Sequence, residues 1–419
     1  MLTDEQKRVI DDIRAWLLSK TSSFFLLKGS AGTGKSYCIR ALAEESGTYA
    51  FTAPTNKATK VLKDSVTTPA FKPTCRTIYS LLALKLSADG EVKELVGSKE
   101  PRDLSIYTAI IVDEASMIPE KLFEHIERAA VKYNARFIFM GDEAQLPPIN
   151  ELRSKVWETA ASAQLTKVMR HDNAILDLAT KIRDQVDAKR PHIDLLTNHS
   201  EGEGVWKLGR KDFEGLIREE AKKGFFSTPN KNKVIAWTNA SVGGFNKLIR
   251  NTIFDEPGTP PWTRDDRVIF ASAIRDKYDM PLASVDDEGT VLHAAEGYID
   301  IYKVWDIEIE LDSDVDDVKK LVYASVLHEE SKTDYDENLD KMADAARRKK
   351  GSWKAYWEFK ELFTDLRYAY AITAHRAQGS TYDTAFVCWQ NILRMHNINE
   401  AYRCLYVAAT RPKRRLIFS

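Results

Sequence analysis

The length, composition and charge of the chain exclude several classes of protein. Its 419 residues are too many for one compact core and suit two or more domains. Apolar residues make up 43% and charged residues 29%, which is typical of a folded globular protein rather than a disordered one. Lysine and arginine total 61 against 62 aspartates and glutamates. Binding of nucleic acid through bulk positive charge is therefore excluded, and any such partner must bind a local groove.

The sequence shows no sign of a membrane segment or of a metal-binding cysteine cluster. It has no run of eighteen consecutive apolar residues, and its acidic, helically periodic start is unlike a signal peptide. The four cysteines are Cys38, Cys75, Cys388 and Cys404. Because they form neither a close pair nor a metal-ligand spacing, we expect reduced thiols in a cytoplasmic compartment and no zinc site.

The first 165 residues alternate apolar runs with amphipathic segments. Strands are predicted at 24–30, 48–54, 107–114 and 135–142, each ending in small or acidic residues. This alternation favours an α/β fold with a parallel sheet covered by helices on both faces. Ligands of such sheets bind at the carboxyl ends of the strands. Residues 84–104 interrupt the pattern, and a hairpin is predicted there around Ala88-Asp89-Gly90.

A second α/β alternation follows, with strands predicted at 234–240, at 384–390 and at the end of the chain. A long insertion splits it. The insertion begins at the turn-rich residues 255–266 and continues with strand composition, which predicts a small antiparallel barrel. From 328 to 366 the chain is charged and helical. The predicted domains are 1–165, then 166–254 together with 367–419, and the insertion 255–366.

The strongest motif is GSAGTGKS, which fits the phosphate-loop pattern G-x-x-x-x-G-K-[ST]. Its residues are Gly29, Ser30, Ala31, Gly32, Thr33, Gly34, Lys35 and Ser36. It follows an apolar strand and opens a helix, so its backbone N–H groups can converge on phosphate oxygens. We expect Lys35 to reach the β- and γ-phosphates of a nucleotide and the Ser36 hydroxyl to ligate Mg²⁺.

Two further strand ends complete this pattern. In IIVDE, Asp113 would reach the metal through water, and Glu114 would polarise the attacking water. In GDEAQLPP, Gln145 is placed to sense the γ-phosphate and orient that water. An ordinary strand end or a proline-stiffened loop would explain either motif alone. Together with the phosphate loop, they favour a nucleotide hydrolase.

The order of the motifs resembles superfamily 1 DNA helicases. The motifs are GSAGTGKS, FTAPTNKA, VDEAS, GDEAQLPP, AITAHRAQGSTYD and YVAATR. Within that superfamily the chain resembles the RecD-like branch and its phage-type Dda helicases, because GSWKAYWEFKELF precedes AHRAQG and the chain ends soon after YVAATR. The resemblance implies two RecA-like P-loop domains, with a small insertion in the first. It implies an SH3-like β-barrel and a helical insertion in the second.

The same resemblance implies roles for further nucleotide-site residues. Gln6 would read adenine, and Gln378 and Gly379 would touch both nucleotide and DNA. Arg170 and Arg411 would reach the γ-phosphate, although a lone arginine is more often a solvated surface group. Because a guanidinium can stabilise the transferred phosphoryl group only across a closed cleft, these arginines would couple hydrolysis to domain motion.

DNA-contacting residues are implied in the same way. They are Pro54, Thr55, Asn56, Lys57, Thr77, Tyr79, Thr238, Asn239, Thr373 and His375. Lys60 and Lys63 continue from Lys57 at intervals of three, and a solvated helix face explains those two equally well. Tyr79 stands where the family usually has histidine. It can stack on a base but carries no charge, and the alternative is a core aromatic.

One basic and aromatic segment keeps two interpretations. It contains Arg347, Arg348, Lys349 and Lys350, followed by Trp353, Tyr356 and Trp357. Such a mixture can bind single strands by stacking and phosphate contact. The alternative, slightly preferred, is a surface helix whose aromatic rings pack on the barrel.

We therefore expect an ATP-dependent DNA helicase that moves 5′ to 3′ on single-stranded DNA and unwinds duplex DNA. The expected cofactors are ATP and Mg²⁺, and the expected partners are single-stranded DNA, forked duplex DNA and a single-strand-binding protein. A monomer in a bacterial or phage-infected cell is expected, and residues 84–104 are a candidate strand-separating pin. Two alternatives remain: a 3′-to-5′ superfamily 1 helicase, or a DNA-stimulated ATPase that acts as a replication or recombination mediator without unwinding.

Overall fold

The structure is a computed structural model that describes residues 2–19, 21–45, 47–86, 92–94, 103–167, 174–256, 258–275, 281–315 and 318–419. The chain forms two compact units. The first comprises Met1–Glu214, Lys233–Val242 and Ile372–Ser419, and the second comprises Gly215–Asn232 and Gly243–Ala371. This division follows compactness alone, and the four predicted domain ranges stay a prediction. Within the ranges given above, no helix combines the length and apolar composition needed to cross a bilayer.

The first sheet is built from residues before 166. The elements of this region are α1 (Asp4–Ser19), β1 (Phe24–Gly29), α2 (Lys35–Glu45), β2 (Tyr49–Ala53), α3 (Asn56–Val66), β3 (Thr74–Thr77), α4 (Ile78–Leu81), β4 (Leu84–Leu86), β5 (Val92–Glu94), β6 (Ala109–Val112), α5 (Glu120–Lys132), β7 (Phe137–Gly141) and β8 (Ser162–Leu165). Six strands pair in the order β3-β2-β6-β7-β1-β8, and every pair is parallel. The predicted parallel sheet is confirmed.

The apolar runs form the centre of this sheet because both of its faces are buried. In β6, Ile110 and Val112 pack into the core on one face, and Ala109 and Ile111 pack into the core on the other. This alternation follows from the two-residue period of a strand. The carboxyl ends of the strands, where the predicted motifs lie, therefore stand on a rigid base.

The segment after α4, where a hairpin is predicted within residues 84–104, contains a pair of strands. β4 and β5 pair antiparallel, with Leu84 opposite Glu94 and Leu86 opposite Val92. The predicted turn at Ala88-Asp89-Gly90 lies outside the described residues.

The rest of the chain supplies the second sheet and an insertion. Its elements are α6 (Ala174–Gln185), β9 (Asn198–Ser200), β10 (Glu203–Lys207), α7 (Arg210–Lys222), β11 (Asn232–Ala236), α8 (Asn239–Ile253), β12 (Arg267–Phe270), β13 (Ile274–Arg275), β14 (Pro281–Ala283), β15 (Glu288–Ile299), β16 (Tyr302–Val315), β17 (Val318–Leu327), α9 (Lys332–Arg347), α10 (Trp353–Lys360), β18 (Leu366–Tyr368), β19 (Ala371–Thr373), α11 (Ala374–Ala377), β20 (Tyr382–Val387), α12 (Trp389–Ile392), α13 (Ile398–Ala409) and β21 (Pro412–Phe418). The second six-stranded sheet has the order β19-β11-β20-β21-β10-β9. β10 and β20 run parallel to β21, and β9 is an antiparallel edge strand.

The insertion in the second unit is an antiparallel sheet followed by two helices. Its five strands have the order β17-β16-β15-β12-β18. The backbone N–H of Thr364, just before β18, donates to the carbonyl of Ser325 in β17 (2.8 Å). This bond joins the two edges of the sheet, so the strands close around a core that includes Val268, Val291 and Ile309. The predicted barrel and the charged helical segment after it are confirmed.

Helix α10 carries the aromatic half of the basic and aromatic segment. Trp353 contacts Tyr356 edge to face, Tyr356 contacts Trp357 in the same way, and no residue of α10 is buried. Phe359 packs near Tyr302 of the barrel instead (ring centroids 5.8 Å apart). The two interpretations of this segment stay predictions.

A buried ion pair inside the barrel gives a stability prediction. The Arg267 guanidinium, 2% exposed, donates to both carboxylate oxygens of Asp312 and to Thr290 Oγ1 (2.8 Å). Asp312→Leu would leave a buried guanidinium whose other carboxylate, Glu288, is 3.5 Å away. We expect the variant to lose about 3–5 kcal/mol of unfolding free energy in urea titrations.

The matched control is the double variant Arg267→Met, Asp312→Leu. We expect it to recover most of the loss, because an apolar pair of similar volume replaces the ion pair without leaving a charge unpaired. A double variant as unstable as the single one would contradict this account.

Candidate nucleotide and nucleic-acid site

The phosphate-loop motif forms the turn between β1 and α2. Gly32 and Gly34 adopt φ values of 82° and 83°, which favour glycine, and Thr33 Oγ1 donates to the carbonyl of Ser30 (2.9 Å). Lys35 and Ser36 begin α2. The eight predicted residues therefore run from the last residue of β1 through the turn to the start of α2, the arrangement that binds phosphate.

The interior of this turn suits an anion. Lys35 Nζ donates to the carbonyls of Gly29 (2.6 Å) and Ser30 (3.2 Å), so the ammonium group lies across the loop. The Ser30 hydroxyl is buried and has no hydrogen-bond partner within the part of the chain that the structure describes. A cation on backbone carbonyls beside an unpaired buried hydroxyl fits a phosphate group, which accepts from both.

Two acidic residues follow β6. The Asp113 N–H donates to the carbonyl of Thr52 (2.8 Å), and the Glu114 N–H donates to Asp113 Oδ1 (2.9 Å). Burial raises the pKa of both carboxyl groups, that of Glu114 to about 7 with the Asp113 charge adding to the shift. The Lys35 charge lowers both pKa values. Glu114 also adopts a left-handed φ of 52°, a backbone conformation that is strained for a residue other than glycine.

Arg411 reaches the same cluster from the end of the chain. It is 6% exposed and donates to the carbonyls of Val407 (3.0 Å) and Ser380 (3.2 Å) and to Thr410 Oγ1 (2.8 Å). Its charge lowers the pKa of Glu114. Lys35, Asp113, Glu114 and Arg411 are therefore brought together, whereas Arg170 lies outside the described residues.

Two predicted glutamines meet directly. Gln378 Nε2 donates to Gln145 Oε1 (3.2 Å) and to Ser116 Oγ (3.1 Å), and both glutamines are buried. Gly379 adopts a φ of 73°, and a Cβ there would lie 3.0 Å from the Cβ of Ala58 at the start of α3. The motifs VDEAS, GDEAQLPP and AHRAQG therefore meet at this point.

Gln6, in α1, contacts the phosphate loop. Its Oε1 accepts from the Thr3 N–H (3.1 Å), and its own N–H donates to Thr3 Oγ1 (3.2 Å), which is a capping box at the start of α1. Its Nε2 donates to the carbonyl of Thr33 (3.3 Å). The side chain thus joins α1 to the loop, and the reading of adenine stays a prediction.

Four of the predicted DNA-contacting residues are threonines that cap helices. Their hydroxyls accept from the backbone N–H three residues later: Thr55 from Ala58 (3.1 Å), Thr77 from Ser80 (3.1 Å), Thr238 from Ser241 (3.2 Å) and Thr373 from Arg376 (3.3 Å). They follow or end β2, β3, β11 and β19. Each therefore stabilises a strand-to-helix turn at a carboxyl edge.

The other predicted DNA contacts differ in exposure. Asn56 and Asn239 are exposed, and Pro54 is half-buried. Lys57 Nζ lies 3.0 Å from the hydroxyl of buried Tyr382. His375 Nε2 lies 3.9 Å from Glu400 Oε1, and burial lowers the pKa of His375. The histidine is therefore favoured in its neutral form.

The sequence-based reasoning missed two residues of α13. The Tyr406 hydroxyl donates to the Asp142 carboxylate and accepts from the Ala31 N–H (3.4 Å). Arg403 donates to the carbonyls of Glu143 and Gln145 and to the Asp187 carboxylate. The available signal was the spacing of Arg403 and Tyr406, three positions apart in the mostly apolar run 401–409 of this helix.

Comparison with known proteins places these motifs in a family. A model of an AAA domain matches residues 1–201, and a model of the UvrD-like helicase C-terminal domain matches residues 368–419. The ATP-dependent DNA helicase dda of Enterobacteria phage T4 is 24% identical over 444 residues, covering 98% of both chains. The chain belongs to helicase superfamily 1. The motif order and this end-to-end similarity place it in the RecD-like branch, among Dda-type proteins.

Two further comparisons agree in extent and fold. An uncharacterized protein of Acanthamoeba polyphaga mimivirus is 22% identical to this superfamily 1 chain over 497 residues, covering 100% of the chain and 99% of the relative. A crystal structure of Pif1 helicase from Bacteroides, in complex with ADP-AlF3 and ssDNA, matches at a TM-score of 0.51 and 15% identity, covering 100% and 92%. The fold with two RecA-like domains is confirmed.

Tyr79 gives a prediction from its surroundings. It packs against the core cluster of the first sheet, and burial raises its pKa to about 12. We expect Tyr79→Ala to lose about 1–3 kcal/mol of stability, because a half-buried ring is removed, and Tyr79→Phe to stay near wild type. Melting temperature is measured beside single-stranded DNA affinity at several salt concentrations.

Melting temperature and DNA affinity together show whether the Tyr79 ring packs in the core or stacks on a base. A ring that stacks on a base would instead cost about 1–3 kcal/mol of DNA affinity in Tyr79→Ala, with the salt slope and the melting temperature unchanged. That result would contradict the packing role.

Proposed function

We propose that this chain is an ATP-dependent DNA helicase that translocates 5′ to 3′ on single-stranded DNA and unwinds duplex DNA. The observation that carries the proposal is the cluster of Lys35, Asp113, Glu114 and Arg411, next to the Gln145–Gln378 hydrogen bond. The cluster brings together residues that lie beside strands of both sheets, and we assign it as the nucleotide site. The domains proposed to act are 1–165 and 166–254 with 367–419, with the barrel and helices at 255–366 inserted in the second.

The nucleotide site would bind ATP in the loop from Gly29 to Ser36, with Gln6 at the adenine and Ser36 and Asp113 holding Mg²⁺. When bound, Mg²⁺ supplies positive charge that offsets charge on the phosphates. Glu114 would accept a proton from the attacking water, and its raised pKa makes it a stronger base than an exposed glutamate. Arg411 would stabilise negative charge as the terminal phosphoryl group transfers, with Arg170 as a second arginine.

Binding of DNA would be coupled to ATP hydrolysis through the short segment 373–378. Gln378 contacts Gln145, the residue proposed to orient the water, and Thr373 and His375 lie within one and a half turns before it. A shift of this segment on DNA would therefore move a side chain in the nucleotide site. Such a link lets binding of a strand change the rate of hydrolysis.

The DNA site would lie at the carboxyl edges of the two sheets. The proposed contacts are Pro54, Thr55, Asn56, Lys57, Thr77, Tyr79, Thr238, Asn239, Thr373 and His375. Few of these side chains are cationic, which agrees with the net charge of -1 and a local groove. The β4–β5 pair is proposed as the pin that separates strands. A single-strand-binding protein as partner, a monomeric state and a cytoplasmic location stay predictions.

The nucleotide site is tested by two variants. Lys35→Ala removes the cation of the loop, so we expect loss of ATP hydrolysis in a protein with unchanged circular dichroism. Glu114→Gln removes the base but keeps the size of the side chain. We expect a fall in turnover of roughly 100-fold or more with ATP and DNA binding retained.

The matched control is Glu124→Gln in α5, which removes an exposed carboxylate paired with Arg128 (3.5 Å) and should hydrolyse normally. If Glu114→Gln also hydrolyses at the wild-type rate, the base is a different residue.

Directionality is tested with tailed duplexes. We expect ATP-dependent displacement of a duplex with a 5′ single-stranded tail and none with a 3′ tail, in DNA and RNA versions assayed side by side. Displacement only from 3′ tails would support the opposite polarity. ATP hydrolysis stimulated by single strands without displacement of either duplex would support a mediator that does not unwind.

A further inference from the structure

Two side chains of helix α13 form hydrogen bonds with residues 142–145, the segment that follows β7. Arg403 and Tyr406 lie three positions apart on α13, and both bind residues between Asp142 and Gln145. We propose that Arg403 and Tyr406 are positioning residues that hold the 142–145 segment so that Gln145 meets Gln378. The inference rests on the proposed function, because the role of Gln145 is part of it.

Tyr406 joins three parts of the nucleotide site through one hydroxyl. The side chain is 1% exposed, and its hydroxyl donates to the Asp142 carboxylate while accepting from the Ala31 N–H of the phosphate loop (3.4 Å). Burial and the Asp142 charge raise the pKa of Tyr406, so it stays a donor at neutral pH. Asp142 in turn accepts the Ala144 N–H (3.1 Å) through its other oxygen. The hydroxyl therefore fixes the start of the segment relative to the loop.

Arg403 fixes the other end of the segment. Its Nη1 donates to the carbonyls of both Glu143 and Gln145 (3.1 Å to the latter), and its Nη2 donates to Asp187 Oδ2 (2.6 Å). A planar guanidinium can bind these three acceptors at once, because its donors point in fixed directions in one plane. A lysine at this position would keep the charge but not the arrangement of donors.

Helix α13 therefore positions two residues of the proposed nucleotide site, Gln145 and Arg411. The backbone of Gln145 is held by Arg403, and its side chain accepts from Gln378. Arg411 stands just beyond the last residue of α13, about 12 Å along the helix from Arg403. Because a helix moves as a rigid element, a shift of α13 would displace Gln145 and Arg411 together.

The test compares Tyr406→Phe and Arg403→Lys with wild type. Tyr406→Phe removes only a hydroxyl. We expect roughly tenfold lower kcat for DNA-stimulated ATP hydrolysis, because losing the bond to Asp142 frees the segment that carries Gln145. KM for ATP should stay within about twofold of wild type, because the bond to the phosphate loop, at Ala31, is long (3.4 Å). Arg403→Lys should lower kcat similarly despite its charge. In the nucleotide-free protein, amide hydrogen exchange at residues 143–146 should become roughly fivefold faster in both variants.

Two control variants are matched to these changes. Tyr402→Phe removes a hydroxyl from the same helix, and that hydroxyl makes no hydrogen bond to any residue whose structure is described. Arg414→Gln breaks an exposed pair with Glu203 (2.6 Å) on a different element. Both should match wild type in kcat and in exchange at residues 143–146.

Three results would overturn the proposal: wild-type kcat and exchange in Tyr406→Phe, a raised KM with unchanged kcat, or faster exchange across the whole chain with a lowered melting temperature. The last would mean a merely structural role. If wild-type protein fails to hydrolyse ATP, the proposed function fails. The exchange measurement on nucleotide-free protein still decides whether α13 holds the segment.

Discussion

Two adjacent, half-buried carboxylates at the end of β6 impose the constraint on which the site depends. Burial penalises the charged forms of Asp113 and Glu114, and a buried charge is tolerated only beside compensating charge. Lys35 supplies that charge from the start of α2, and Arg411 supplies it from beyond α13. The acidic pair therefore ties the phosphate loop to the last strand of the chain. The requirement explains why residues almost 400 positions apart in sequence lie in one cluster.

The carboxyl edges of the two sheets repeat one local arrangement. A strand ends, a threonine caps the next helix, and the chain turns away: Thr55 and Thr77 do so in the first sheet, and Thr238 and Thr373 in the second. Because β2 and β3 run parallel, the turns at Thr55 and Thr77 lie along the same edge of the first sheet. The threonine hydroxyls are occupied by their own helices. The structural role of these residues therefore explains their positions without reference to DNA.

The sequence alone was sufficient to predict the features that depend on the pattern of neighbouring residues. Apolar runs predicted the central strands of the first sheet, since strands buried on both faces need continuous apolar residues, as in β6. The phosphate loop was found because its glycines and Lys35 are adjacent in sequence. Tyr406 and Arg403 were missed because their acceptors lie more than 200 residues away, and nothing near them in sequence identifies those partners. The capping box of Thr3 and Gln6 was readable from its spacing, but the contact of Gln6 with Thr33 was not.

Three of the contacts that join the two sheets within the first unit are polar. Gln378 with Gln145, Tyr406 with Asp142, and Lys57 with Tyr382 are hydrogen bonds between polar groups. When such bonds break, water replaces each partner, so the net cost of opening is a small fraction of the strength of the bonds themselves. An apolar interface of the same size would lose its full hydrophobic stabilisation on opening. In the proposed helicase cycle the two sheets would pass between a joined and a separated state, and polar contacts lower the cost of that separation. The bound nucleotide can then decide between them with the modest differential affinity that such a two-state equilibrium requires.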